Sequence, residues 1–264
     1  MLTLCVLNYN GNDSLRASIQ SVLDQTHKPD RFVVIDNNSS DGSRQIAVDM
    51  GVEVVDADNR HKFITGLNKA SDLNKDKLFF MQNDVVLDKF CLSEITGAIE
   101  GKYRFFIQPI IVDVEGKIDN AGMDYKWPGY GERRKSAWFK GYVYEPCGLV
   151  TTICFMTDLK PFWDTQFSPA YYEDIDMYLR TKALASHWIC PRAKAIHRGN
   201  HTFSQSYKKL EISRICRKNR KKLIRKHYKG FDQWLRLAVT TCFDIVKEPI
   251  DIINNWWVPE HKFK

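Results

Sequence analysis

The sequence predicts an α/β domain that ends in a helical tail, and three observations carry the prediction. Over the first hundred residues, short apolar runs rich in β-branched side chains alternate with amphipathic segments, the pattern of a parallel sheet with crossover helices. The 264 residues are 44% hydrophobic, 27% charged and 12% aromatic, which suits one sizeable core and excludes a disordered chain or a small disulfide scaffold. The formal charge of +7 is unevenly placed: residues 1–207 carry 24 Lys+Arg against 26 Asp+Glu, whereas residues 208–229 carry 11 basic side chains against Glu211 alone. Any dealings with polyanions are therefore expected in that short stretch.

The elements follow in order. Leu2 to Leu7 is a buried strand, and Asn12 or Asp13 caps a helix whose Leu15, Ile19, Val22 and Leu23 recur at helical spacing until Pro29. Phe32 to Ile35 is a second strand, Ser43 to Met50 a short helix, Val52 to Val55 a third strand and Phe63 to Leu73 another helix. Leu78 to Met81 is a fourth strand running into Gln82-Asn83-Asp84. From about Tyr103 the texture changes to strands and loops rich in Gly and aromatics, followed by a helix around Tyr171 to Ala183 and a short strand near Trp188 to Cys190. No repeat or low-complexity linker interrupts the chain before 208, so one domain is expected to about residue 205, with residues 206–264 as the basic, then aromatic tail. In open sheets of this kind the ligand lies beyond the carboxyl ends of the strands. That rule selects Asn8-Tyr9-Asn10, Asp36-Asn37-Asn38 and Gln82-Asn83-Asp84, although neither GxGxxG nor a Walker loop is present.

The seven cysteines include no CxxC pair and mostly lie in apolar stretches, so they read as buried thiols of a reducing compartment. No signal peptide is expected, since Leu2 to Leu7 runs into Asn8 with no basic segment before it, and no run reaches the roughly 20 apolar residues of a membrane-spanning helix. The expectation is a cytoplasmic protein, with peripheral attachment to the inner face of a membrane left open.

Four places carry chemical promise. Asp36, at a strand end before Asn37, Asn38, Ser39, Ser40, Asp41 and Gly42, suits hydrogen bonds from a base or a ribose, and equally a helix cap with an Asx turn. Asp84, beside Asn83 and Gln82, suits a hard cation that bridges a diphosphate, or an ordinary acidic turn. Glu173, Asp174 and Asp176 open a helix that continues through Met177, Leu179 and Arg180; acids are favoured there anyway, but one flanked by aromatics can accept a proton from a hydroxyl. His197 ends a strand and suits a cation or a phosphate, and equally a structural role. His201 follows four residues later, but Gly199 argues against a shared helical face, and no spacing suits zinc.

Taken as an ordered set, NYN at 8–10, VVIDNNSSDGS at 33–43, QNDVVLD at 82–88, YYEDIDMYLR at 171–180 and AIHRGNHTFS at 195–204 resemble the family-two inverting glycosyltransferases of the GT-A fold, and among them the rhamnosyltransferase-like branch. The resemblance covers roughly residues 2–228, since KNRKKLIRKHY at 218–228 is similar to a basic helix ending many such enzymes. It implies a Rossmann-like nucleotide-sugar-binding half over 1–100, an acceptor and catalytic half over 101–205, and a nucleotide-diphosphate sugar as donor. By this resemblance Asn8, Tyr9, Asp36, Asn38, Asn68 and Asn83 line the nucleotide. Asp84 matches the last acid of the family's DxD metal motif, with Gln82 in place of the first, and His197 completes a Mg2+ or Mn2+ site. Asp174 matches the catalytic base, with Glu173, Asp176 and Arg180 supporting it or meeting the acceptor. Where many relatives are glycine-rich after Asn59, this chain has Arg60-His61-Lys62, so the donor sugar does not carry over.

The acceptor is expected to be a glycan or lipid-linked glycan. A membrane role suits the tail, whose Arg214, Arg217, Lys218, Arg220, Lys221, Lys222, Arg225 and Lys226 are interspersed with Ile212, Ile215, Leu223 and Ile224 and followed by Phe231, Trp234, Leu235, Phe243, Trp256 and Trp257. A hydroxylated base in DNA ranks second as acceptor. A non-catalytic nucleotide-sugar-binding protein is a further alternative.

Overall fold

A computed structural model of the protein describes residues 1–58, 62–135, 144–199 and 208–256, without the side chains of 246–256. Arg60, His61, His201 and Trp257, named above, lie outside the described residues. The strands are β1 (Leu2–Asn8), β2 (Arg31–Asp36), β3 (Glu53–Asp56), β4 (Lys77–Gln82), β5 (Val85–Leu87), β6 (Phe105–Val112), β7 (Ile118–Asn120), β8 (Met123–Lys126), β9 (Tyr130–Arg133), β10 (Glu145–Pro146), β11 (Cys154–Thr157) and β12 (Ser186–His197). The helices are α1 (Asn12–Leu23), α2 (Ser43–Asp49), α3 (Phe63–Leu73), α4 (Cys91–Ala98), α5 (Glu173–Thr181), α6 (Lys209–His227) and α7 (Gly230–Trp256).

The main sheet runs β10-β12-β6-β11-β4-β1-β2-β3, with β5 added to β12 and β7 to β6, while β8 and β9 form a separate hairpin. β3, β2, β1 and β4 are parallel, as the alternation of strands and helices predicts. β11 enters antiparallel between β4 and β6, so the sheet is mixed. Every residue of β1 is buried. Leu2, Leu4 and Val6 join one hydrophobic cluster with Leu15, Ile19 and Phe79, while Cys5 and Leu7 join the opposite one with Ile64, Leu67 and Phe80. A strand covered on both faces needs no polar alternation, and this one shows none.

Several boundaries differ from expectation for local reasons. The first residue outside α1 is Gly11, with no side-chain cap from Asn12 or Asp13. A Cβ at Gly11 would sit 2.4 Å from Asn83 Nδ2 and 2.5 Å from Asn8 Oδ1, so the chain passes too close to those amides for a capping side chain. The helix expected from Tyr171 starts at Glu173, because Tyr171 and Tyr172 hold φ of 73° and 74°, outside the right-handed region. The strand expected near Trp188 to Cys190 is 12 residues long, with a register shift between Cys190 and Lys194 that carries it past Pro191.

The basic tail is not a detached appendage. α6 docks through buried Asn219, Arg220, Leu223 and Ile224. Arg220 and Lys221 pair with Asp244 of α7, Lys226 with Asp164 and Asp176, and Lys222 reaches the carbonyl of Gln166. Part of the positive charge concentrated in residues 208–229 is thus neutralised inside the molecule.

Candidate active site

The carboxyl ends of β1, β2 and β4 meet in a knot of short polar side chains. Asn8 is fully buried; its Nδ2 donates to Asp36 Oδ1 at 2.8 Å, Ser39 Oγ at 3.0 Å and Ser43 Oγ at 2.8 Å, and its Oδ1 accepts from Asn83 Nδ2 at 2.9 Å. Asp36 also accepts from the Ser39 hydroxyl at 2.6 Å and the Ser39 amide at 3.0 Å, the Asx turn that the sequence left open. The side chains of Asn8 and Asp36 brace the rim of the site. Asn37, one residue on, lines the adjoining cavity; its Nδ2 donates to the Lys62 carbonyl at 2.9 Å, while its buried Oδ1 has no hydrogen-bond partner.

Asp84 follows in the turn between β4 and β5. β5 pairs with β12 in the register His197 opposite Val85, and the Arg198 amide donates to the Asp84 carbonyl at 3.0 Å. This register sets His197 Nε2 at 3.4 Å from the Oδ2 of Asp84, 113 residues away in sequence. On the other ring nitrogen, His197 Nδ1 lies 3.4 Å from Asp119 Oδ2, and Asp119 pairs in turn with Arg133 at 3.1 Å. Burial alone would favour the neutral imidazole, but the carboxylates of Asp119 and Asp84 outweigh it and push His197 up to about 9. Asp119 is held below the usual carboxylate range, chiefly by its bond to His197.

Glu173 and Asp174 open α5. Glu173 is buried and accepts from the Thr152 hydroxyl at 3.1 Å on Oε1, leaving Oε2 buried without a partner. Asp174 keeps part of its surface open and accepts from the Ile175 amide at 2.7 Å. Burial raises both carboxyls above their ordinary range, and the charge of Asp174 adds to the effect on Glu173. Such a pair favours a single negative charge near neutral pH.

These groups line one cavity of about 710 Å³, a size suited to a small organic ligand. It brings together Tyr9, Asn83, Asp84, Glu173, Asp174 and His197 from the sequence reading, together with Gln82. It includes Asn37, which the strand-end rule selects and the resemblance does not assign, and it adds Lys62, Arg133, Thr152 and Cys216, which the sequence reading does not name as site residues. Asn8, Asp36 and Asn38 are not among its lining residues. Asn68 is elsewhere: its amide donates to the Trp163 carbonyl at 2.9 Å and accepts from the Trp163 amide at 2.8 Å, tying α3 to the loop before α5. Asp176 and Arg180 also turn away from the cavity. Asp176 is fully buried against Arg180, Lys226 and His227, at 2.9, 2.8 and 2.7 Å, because a residue two positions after Asp174 lies across the helix from it.

Among the described residues no group of three or more His, Cys, Asp or Glu converges as a metal cage. The donor set nevertheless fits a hard divalent cation, which takes one or two carboxylates and completes its shell with phosphate and water oxygens. Asp84 supplies a buried Oδ1 with no partner, and His197 supplies a nitrogen on the same side of the cavity.

A mixed sheet in this order, with an acid in the turn after β4 and a carboxylate pair at the head of α5, defines a GT-A fold. Solved structures share it. GalNAc-T7 in complex with UDP, GalNAc and Mn2+ is 13% identical with a TM-score of 0.62, over 75% of this chain and 43% of that one. Residues 1–349 of S. aureus TarS in complex with UDP-GlcNAc are 14% identical with a TM-score of 0.58, over 93% of this chain and 72% of that one. At these identities the likeness is one of fold. Residues 3–157 match Glycosyl transferase family 2, and the chain belongs to that family. No branch within it is distinguished, and no curated protein matches the chain.

Proposed function

We propose that the protein moves a sugar from a nucleotide-diphosphate sugar to a hydroxyl of a glycan or lipid-linked glycan, with inversion at the anomeric carbon. The observation that carries this reading is that Asp84 with His197, and Glu173 with Asp174, line the same cavity. Tyr9, Asn37 and Asn83 flank the nucleotide, and the unpartnered Oδ1 of Asn37 offers it an acceptor. Asp84 and His197 are the residues that would hold Mg2+ or Mn2+, for which His197 would have to give up its proton. When bound, that cation neutralises charge developing on the leaving diphosphate. Lys62 and Arg133 add fixed positive charge to the same cavity.

Asp174 takes the proton of the acceptor hydroxyl. The freed oxygen pair forms the new bond to the anomeric carbon as the bond to the diphosphate breaks, and the leaving electrons settle on phosphate oxygen. Attack from the face opposite the leaving group inverts the centre. Glu173 retains a proton beside Asp174, so the base works next to a neutral neighbour.

The acceptor is presented at an anionic membrane surface. Lys218, Arg225 and Lys229 are exposed on and just beyond α6, and Phe231 and Trp234 are 74% and 61% exposed at the start of α7. Among the described residues no helix is long and apolar enough to cross a membrane. DNA stays second as acceptor, because Arg220, Lys221, Lys222 and Lys226 are engaged within the molecule.

A screen of UDP-, dTDP- and GDP-sugars for thermal stabilisation with and without Mn2+ tests the reading. Metal-dependent stabilisation by one nucleotide class, followed by transfer detected by mass, is expected. No stabilisation by any nucleotide sugar in either buffer would overturn it.

A further inference from the structure

The turn that delivers Glu173 and Asp174 is strained. Tyr171 and Tyr172 are consecutive non-glycine residues in the left-handed region, a conformation that costs roughly 1–2 kcal/mol at each. Such a turn persists only where its surroundings over-determine it. Tyr172 also supplies no side-chain cap to α5, so the helix end does not hold itself.

The surroundings that hold it belong to α6. Asn219 is 1% exposed, and its Nδ2 donates to the carbonyls of Phe167, Ala170 and Tyr171 at 2.8, 3.0 and 3.1 Å. Two N–H bonds are thereby shared among three carbonyls of the segment leading into the turn. Beyond the turn, Lys226 and His227 grip Asp176 at 2.8 and 2.7 Å. Asn219 and Lys226 lie seven residues apart, two helical turns on one face. Cys216, one turn earlier on that face, lines the cavity itself. The same helix therefore holds the chain immediately before and immediately after Glu173 and Asp174.

We infer that α6 is a positioning element of the reaction, with Asn219 as its central positioning residue, fixing the turn from which Asp174 reaches the acceptor hydroxyl. This rests on Asp174 acting as the base. It gives the basic tail a task inside the enzyme, separate from any contact with a membrane. Asn219 is not itself a lining residue of the cavity and acts through the carbonyls of Ala170 and Tyr171, which belong to the lining.

The test is Asn219→Asp, which keeps the shape and replaces the donor by an acceptor facing three carbonyls. Ile95→Ala, on α4 and in the hydrophobic cluster on the opposite face of the sheet, serves as a control that lowers stability without touching α6 or the turn. Amide hydrogen exchange over residues 167–177 and steady-state UDP release from UDP-N-acetylglucosamine, or from whichever nucleotide sugar binds in the screen above, are measured on full-length protein below both melting temperatures. In Asn219→Asp, exchange over 172–175 should quicken, and kcat per folded molecule should fall on the order of 10²-fold with donor KM unchanged. Ile95→Ala should leave kcat per folded molecule at the parent value. Should Asn219→Asp fail to fold, Asn219→Ser, with a shorter donor, is read in the same two assays and is expected to change in the same directions. Unaltered exchange in the folded variant overturns the clamp. Quickened exchange with an unaltered kcat overturns the positioning role. Undiminished turnover in Asp174→Asn instead sinks the assignment of the base, leaving the exchange result to judge the clamp alone.

Discussion

His197 Nε2 stands 3.4 Å from Asp84 Oδ2 because β12 pairs with β5 in the register that sets His197 opposite Val85. A one-residue slip would turn His197 to the other face of the sheet. Asp119 fixes the far nitrogen of the ring, so the imidazole is oriented from both sides. Asp84→Ala and His197→Ala should each abolish the rise in melting temperature that Mn2+ with UDP gives the parent protein. Equal stabilisation of parent and variants, or equal UDP affinity with and without metal, would remove the cation from this place.

Glu173 and Asp174 are both carboxyls raised by burial, yet they should separate in function. Asp174→Asn removes the proton acceptor and should lower transfer by about 10²- to 10⁴-fold, with nucleotide-sugar affinity retained in calorimetry. Glu173→Gln keeps a neutral side chain against Thr152 and should retain most of the rate. In the parent, a base must be ionised to work, so activity should fall as pH drops, with the fall centred above the ordinary carboxylate range. A rate insensitive to pH down to 4 would remove the base from this pair, and a Glu173→Gln variant as inactive as Asp174→Asn would overturn the separation of the two roles.

The parallel half of the fold was legible in the sequence because its signals are local. α3 spans Phe63–Leu73 as the apolar spacing predicts, and β2 and β4 extend the expected strands by one residue at each end. The nearby polar residues at the sheet edge were equally visible. Beyond residue 100 the sheet is assembled from distant pieces: β11 is four residues long and lies between β4 and β6, and nothing in its sequence states those partners. Asp119 escaped notice for the same reason, since its meaning comes from His197, 78 residues away. The resemblance gives Asp176 and Arg180 a supporting or acceptor role, whereas helical geometry turns Asp176 toward α6 and pairs Arg180 with it. Asn68 was assigned by resemblance, and its amide is committed to the backbone of Trp163.

Gly11 lies where backbone and the Asn8 and Asn83 amides meet most closely. A methyl group there would sit 2.4 Å from Asn83 Nδ2, well inside contact distance. Gly11→Ala should break the bond between Asn8 and Asn83 or displace the turn carrying Asn83 and Asp84. The expected cost is about 1–3 kcal/mol of stability, with weaker nucleotide binding in the folded variant. Denaturant unfolding and calorimetry with UDP check both; parent-like values in each would mean that the loop yields without disturbing the amides.

His187 offers a pH test of stability independent of catalysis. Its ring stacks on Phe106 at 4.8 Å and meets Tyr178 edge-on at 5.0 Å, and burial pulls its pKa from 6.5 down to about 4. The unfolded chain binds the proton more readily, so this contribution is complete above about 6.5 and is lost as pH falls through about 4. The full loss is roughly 3 kcal/mol. His187→Gln, which keeps an acceptor for the Val150 amide, should show a shallower decline in unfolding free energy over that interval than the parent. Parallel curves for the two proteins would place the acid sensitivity elsewhere.

The exposed rings of Phe231 and Trp234 stack at 5.6 Å at the start of α7, directly after Lys229. Two aromatics held against each other in water, beside uncovered lysine and arginine, match an interface of acyl chains below anionic headgroups. Arg225 and Lys229 would then meet the headgroups while the rings enter between them. The parent protein should float with phosphatidylglycerol vesicles and stay behind with phosphatidylcholine vesicles, and added salt should weaken the association. Phe231→Ser and Trp234→Ser should each reduce partitioning on the order of tenfold, with UDP release in solution unaffected, because neither residue lines the cavity. Steep salt-dependent binding to duplex DNA, with no flotation on either vesicle, would instead make the acceptor a nucleic acid and give the exposed cations of α6 the task of following its phosphates.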